Sequence, residues 1–368
     1  GSNSYTQIGH GGIGASNAVI DADINISFCE FGDVTLTAGA AGNAYSQIGS
    51  GHGGVNGAIS GDVSVTGFGN LTMTGLGNGA FAQIGSGGNN SDGNLDSNVT
   101  VTSTATIAER GNVIMNGGSS DNAYAHIGNG GNNSDGTHDG NITVSANSVS
   151  ATGGSGRSSY VQIGNGGHFG RGNATGDIKV EATAGDVDFK SGTNDRSYSQ
   201  IGHGGLFQGG GNFALEGGID VDASGDVKFA SGGGAANWKF TQVGHGGFQV
   251  NGTKSGNIDI LAGGKIDFLG AGSTGNESFV QVGHGGYQSG GNADGTIDVE
   301  SQNGSITFNA GNAESSFAQL GHGGRDSRGD YSDDITVTAT GGGVLFTGGT
   351  AGRTYAQLGH GGYEADAT

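Results

Sequence analysis

The octapeptide Phe279-Val280-Gln281-Val282-Gly283-His284-Gly285-Gly286 decides the fold of this chain. It reads aromatic, small, Gln, aliphatic, Gly, polar, Gly, Gly. The pattern recurs ten times, beginning at Tyr5, Tyr45, Phe81, Tyr124, Tyr160, Tyr198, Phe240, Phe279, Phe317 and Tyr355. Its third place is Gln7, Gln47, Gln83, Gln162, Gln200, Gln242, Gln281, Gln319 and Gln357, and His126 is the single departure. The copies stand about 39 residues apart, and self-similarity at such a period is the signature of a stacked repeat architecture.

Two further short runs lie between successive motifs. In the unit ending at Gly286 they are Asn257-Ile258-Asp259-Ile260 and Lys265-Ile266-Asp267-Phe268; counterparts are Asp177-Ile178-Lys179-Val180 with Asp186-Val187-Asp188-Phe189. Each is apolar at alternate positions and polar between, as in a strand with one buried and one solvated face. Gly, Asn and Asp flank the runs and supply tight turns. No window carries helical periodicity with caps. The unit is therefore three short strands joined by turns.

Composition agrees with stacking. The 368 residues include 85 Gly and no Pro. In a parallel solenoid nearly every strand is central, and Pro would remove a ladder hydrogen bond. Collagen is excluded, because it needs Pro and Gly at every third position. The expected fold is all-β: a parallel β-solenoid with three short strands per coil and about ten coils of roughly 39 residues. It forms one continuous array over residues 1–368, with a rod core on the order of 48 Å long at ~4.8 Å per coil. A propeller is the structural runner-up, but its blades need four strands, alternate ones antiparallel. Motif copies stand at both ends without an amphipathic cap, which anticipates an excerpt of a longer array or a subunit stacking end to end.

With 13 Lys and Arg against 33 Asp and Glu, the formal charge is −20, which disfavours phosphate backbones and hence nucleic acid. No run of 18 apolar residues exists, so no membrane insertion is expected. No basic stretch followed by an apolar one announces a secretion signal. Cys29 is the single cysteine and cannot form an internal disulfide.

Phrases such as Gly32-Asp33-Val34-Thr35-Leu36-Thr37-Ala38-Gly39 and Gly225-Asp226-Val227-Lys228-Phe229 resemble the repeats of filamentous-haemagglutinin-like and autotransporter adhesins. Those are long secreted bacterial surface proteins whose bodies are right-handed parallel β-helices. The resemblance runs through composition and strand phrasing over the whole chain. It implies cell-surface display and adhesion. The Gln-aliphatic-Gly-His-Gly-Gly motif stands outside that family's pattern, and the period is longer.

Several residues are candidates for chemistry. His203, His245, His284, His322 and His360 share the place before the final Gly-Gly in five consecutive units, with His10 in the first unit. Stacked imidazoles can ligate Zn²⁺ or Cu²⁺, or form a turn ladder bonded to backbone. Each of these five follows a third strand ending in Phe189, Phe229, Phe268, Phe308 or Phe346, which suggests that the two positions pack together or that the units are recent duplicates. The aromatic and Gln of the motif share one face. If that face turns outward it makes an association stripe; if inward, Gln ladders bond coil to coil. Near-invariance favours the inward arrangement.

The loop Asn89-Asn90-Ser91-Asp92-Gly93 recurs as Asn132-Asn133-Ser134-Asp135-Gly136, with Asp96 and Asp139 beyond, and such oxygen-rich loops can hold Ca²⁺. Phe169, Phe207, Phe248, Tyr287 and Tyr363 begin the variable loops, where they can stack on sugar rings or fold back on the rod. Arg328-Gly329-Asp330 spells an integrin-type tripeptide, and Gly9-His10-Gly11-Gly12-Ile13-Gly14 fits a dinucleotide fingerprint with no helix to follow it. No nucleophile elbow, zincin pair or P-loop is present. Asp220, Asp222, Asp259 and Asp298 on strands are the carboxylates that a glycan-cleaving β-helix would use.

The reading that follows is a non-enzymatic structural solenoid of a bacterial cell-surface or extracellular-matrix protein, a stiff stalk or self-assembling fibre with an adhesion role. It needs no cofactor, with calcium as an accessory ion. Its partners are further copies, end to end or laterally, and surface glycans. A glycan-binding or glycan-cleaving β-helix of the tailspike or lyase type is the alternative.

Overall fold

The computed structural model describes all residues except 1–2, 15–16, 18, 30, 108, 209–210, 212, 271, 273 and 367–368. The chain winds as a parallel β-solenoid, and the described residues contain no helix. One coil shows the plan. The motif strand Phe240–Val243 is followed by Gly246–Phe248, then Gly252–Ser255, Ile258–Ala262 and Ile266–Leu269, after which Phe279 opens the next motif strand. Stacking these gives a ten-stranded motif sheet and nine-stranded sheets of the second and third strands. The strands pair in parallel with equivalent residues in register, as in Phe240↔Phe279, Ile258↔Ile297 and Phe268↔Phe308.

A fourth strand joins the three expected. It is only two residues long in most coils, as in Ile59–Ser60 and Leu95–Asp96, and builds an eight-stranded short sheet between the motif loop and the second strand. Gly204–Leu206, Gly246–Phe248 and Gly285–Tyr287 of three successive coils add a small fifth sheet.

The second and third strands alternate as their sequences require, with Val63 and Val65 buried and Ser64 and Thr66 partly exposed. Motif strands differ: in interior coils all four residues are buried. Their aliphatic positions, such as Ile84, Ile163 and Val282, face the main core with the second and third strands. Their aromatics face a second core, closed by the loop that folds back after Gly-Gly. Ten rings stack there from Tyr5 to Tyr355, with centroids 4.6–5.1 Å apart and planes within 7°. Smaller apolar strips lie beneath the loops, one formed by Ile20, Val55, Ile59 and Leu95, another by Ala174, Leu215 and Val250.

The first glycine of the motif is fixed by this stacking. Gly202 has φ +150°, and a Cβ there would lie 2.0 Å from the carbonyl oxygen of Gly244 in the next coil. Only a residue without a side chain allows coils to close to ladder distance at this corner.

Candidate binding surface and the ladders beneath it

The motif glutamines face the second core and are buried, but they do not form an amide-to-amide ladder. Gln162 Nε2 donates to the carbonyls of Gly202 and Gly204 in the next coil, both at 2.9 Å. Gln200 does the same to Gly244 and Gly246 at 2.9 and 3.1 Å. Each side chain thus clamps the Gly-polar-Gly turn of its neighbour. His126 replaces Gln without losing the principal bond, since its Nε2–H donates to Gly164 at 2.6 Å.

The polar residue inside that turn forms a second relay. The backbone N–H of His245 donates to Nδ1 of His284 at 2.9 Å, and His284 Nε2–H donates to the carbonyl of Gly256 at 2.8 Å. His203, His245 and His322 repeat the arrangement, and their rings stack 4.6–4.8 Å apart. At His360 the ring accepts from His322 and donates to Asp333. Both nitrogens of every ring in this ladder are engaged within the protein, as in the turn ladder bonded to backbone, and leave no free lone pair for the alternative of a metal row. Burial lowers His203 and His322 to about 4 and holds His245 and His284 well below the usual value. The relay also explains the substitutions in earlier coils. Asn165 Oδ1 accepts from Asn129 N–H at 2.9 Å, while its amide donates to Gly140 and Thr175. Asn combines one acceptor and one donor at the reach of an imidazole. The Phe189 to Phe346 stack lies apart in the main core, and no ring contact joins it to the histidines among the described residues.

The acidic loops stack as ladders too. Asp96 pairs in register with Asp139, whose carboxylate accepts from Thr175 Oγ1 at 2.7 Å. Asp135 is raised mainly by desolvation, eased by Arg171 and raised further by Asp92 on the adjacent coil. These are pairs of carboxylates, whereas Ca²⁺ takes six to eight oxygens. No group of three or more His, Cys, Asp or Glu gathers as a metal site among the described residues.

The five loop aromatics divide. Phe248 and Tyr287 are 3% and 4% exposed and belong to the second core, so they offer no sugar platform. Phe207 is half-buried, while Phe169 is 43% exposed and stacks on it at 5.4 Å and 12°. Tyr363 is exposed beside the Arg325 guanidinium at 5.5 Å. Arg328-Gly329-Asp330 runs within the stacked loops, with Gly329 N–H bonded to Asp366 and Asp330 N–H to Asn292.

On the outward face of the second strands, Lys179, Asp220, Asp259 and Asp298 stand in one row. Lys179 Nζ lies 3.3 Å from Asp220 and 3.6 Å from Asp222. Desolvation and then neighbouring carboxylates raise Asp222 and Asp259, and Lys179, Asp220 and Asp259 line a shallow concavity of about 470 Å³.

Sequence reasoning passed over three buried polar residues and the half-buried Arg196. Lys239 replaces a small residue just before the motif, and its ammonium donates to the carbonyls of Gly232, Gly233 and Gly234 at 2.9–3.0 Å. Lys254 takes a place in the short sheet that Leu215 and Ala293 hold in adjacent coils. Its ammonium is capped by Gly252 and Gly290, and burial lowers it to about 7. His168 is fully buried with neither ring nitrogen bonded, and Arg196 Nε is buried without a partner. A Lys breaking an apolar column is visible in aligned repeats; the other two carry no sequence signal.

Compared with family models, with curated proteins and with solved structures, the chain matches none.

Proposed function

We propose that the chain is a structural segment of a bacterial cell-surface or extracellular-matrix protein, serving as a stiff stalk or self-assembling fibre with an adhesion role. The observation that carries this reading is the unbroken coil-to-coil bonding. Four stacked sheets, the Gln clamp and the His/Asn relay repeat with little interruption along the rod. In such an array stability is a sum of nearest-neighbour interfaces, so it grows with the number of coils. A further coil, from this chain or another copy, would be added by the same bonds.

The resemblance in strand phrasing to adhesin repeats supports a surface location, and the charge of −20 supports solubility of closely spaced rods. Cryo-electron microscopy of the purified chain over a dilution series tests the reading. Straight rods or fibres with an axial repeat near ~4.8 Å are expected. Flexible or globular particles at every concentration would overturn it.

A further inference from the structure

One corner of the rod departs from the pattern of its neighbours. The second residue after Gly-Gly is left-handed in successive coils: Asn90 and Asn133 at φ +56°, Phe169 and Phe207 at +59°, Gln249 at +55° and Gln288 at +52°. Asn suits this conformation, whereas a bulky aromatic there is an outlier whose persistence points to function. Phe169 nevertheless leaves its ring exposed.

The groups around that ring are also unlike those elsewhere. Arg157 and Arg196 come from the corner that precedes the motif in two adjacent coils. The Arg196 guanidinium lies 4.8 Å from the Phe207 ring centroid and 5.1 Å from that of Trp238. Its Nε is buried and unbonded, and neither arginine has an ion-pair partner among the described residues. His168 stacks on Phe169 at 4.0 Å, fully buried, with both ring nitrogens unbonded. Burial, then the Arg196 and Arg157 charges, lower it to about 3, so it stays neutral with one donor and one acceptor free. Two carboxylates stand nearby, each accepting a backbone N–H: Asp121 Oδ1 from Arg157 at 2.9 Å, and Asp195 Oδ1 from Asn237 at 2.7 Å. Asp121, Asn122, Arg157, Ser158, Phe169 and Arg196 line a cleft of about 210 Å³.

We infer that this cleft binds the carboxylate-bearing ring of an acidic sugar, a hexuronate unit of a polysaccharide. Two chemistries present at its wall match two parts of that ligand. The guanidiniums of Arg157 and Arg196 take the carboxylate, and the exposed Phe169 face, backed by the buried His168 ring, takes the apolar C–H face of the pyranose. A cleft below the ~300 Å³ of drug-sized sites holds one ring, with the remaining chain on the surface. The overall negative charge does not forbid this, since at physiological salt fields decay over ~8 Å and the local pair dominates. The inference stands apart from the fibre reading, as a single isolated rod would bind equally well.

The test titrates the intact chain with trigalacturonate while following the fluorescence of Trp238, its single tryptophan, with equilibrium dialysis of labelled trigalacturonate as the independent readout. Saturable binding is expected, with none by galactotriose or by acetate at equal ionic strength. Arg157→Gln and Phe169→Asn should weaken it at least tenfold without lowering the melting temperature, since Arg157 is exposed and Asn is what other coils place at the Phe169 corner. Absence of binding by dialysis, equal binding of galactotriose or acetate, or unchanged affinity in Arg157→Gln would each overturn the assignment.

Discussion

The backbone N–H of His203 donates to Nδ1 of His245 in the next coil at 3.0 Å, while His245 Nε2–H donates to Gly217 at 2.8 Å. One imidazole thus ties three strands of chain together: its own turn, the turn of the coil before it, and the corner ahead of the second strand.

Because Asn129 and Asn165 fill the same relay elsewhere, His245→Asn is expected to keep stability within ~1 kcal/mol of the parent. His245→Leu leaves the His203 N–H and the Gly217 carbonyl without partners, at ~1–3 kcal/mol for each buried orphan. Denaturant midpoints of the two variants check this; equal losses in both would remove the relay as a stabilising device.

The same reasoning applies to the clamp. Gln200→His should be tolerated, since His126 serves that place, whereas Gln200→Leu strips the amide donor from Gly244 and Gly246. The expected loss for Leu is ~2–4 kcal/mol, read by thermal melting.

Acid should weaken the rod in a defined window. His52, His126, His138, His203 and His322 lie near 4 through burial, and an unfolded imidazole titrates near ~6.5. The unfolded chain therefore binds more protons between these values, so stability is full above ~6.5 and declines as pH falls toward 4. Melting followed by circular dichroism at stepwise pH should show this decline. Replacing His203, His245, His284 and His322 together by Asn should make the decline shallower, with His52, His126 and His138 accounting for what remains.

Lys254 carries the same sign into the alkaline range. Its folded-state pKa of about 7 lies below the unfolded ~10.5, so the unfolded chain again holds more protons and stability climbs with pH across that interval. Lys254→Met should stabilise at pH 7 by on the order of 2 kcal/mol, and the advantage should shrink toward pH 10.5. A gain independent of pH would mean that packing, not charge burial, separates the two.

Gly202→Ala should abolish native packing around its coil, because its Cβ would sit 2.0 Å from the Gly244 oxygen. Gly343→Ala, where nothing lies within 4 Å of the added atom, is the matched control and should be nearly silent. Comparable melting of the two proteins would contradict the stacking register.

The period, the three principal strands and their inward faces were legible, because Ile258-Asp259-Ile260 and its counterparts alternate cleanly. The motif strand was harder. Choosing one inward face for Phe279-Val280-Gln281-Val282 was a false choice, since the chain folds back and buries both. A signal existed: none of the ten motif strands carries a charge, as expected of strands covered on two sides. The short strand Leu95–Asp96 escaped because two residues cannot display a period. The corner at Phe169 escaped for another reason. Its arginines and His168 lie far apart along the chain and meet only through the stacking of coils.

The Gln clamp has one more consequence. Gln162 reaches forward to Gly202, Gln200 to Gly244 and Gln281 to Gly321, and none reaches back. The rod is therefore an arrow. At the clamp the trailing side of each coil presents glycine carbonyls and the leading side presents Gln amides, so two leading sides cannot satisfy each other's clamps. Units joined through the clamp would all point the same way, which distinguishes one end of the rod from the other.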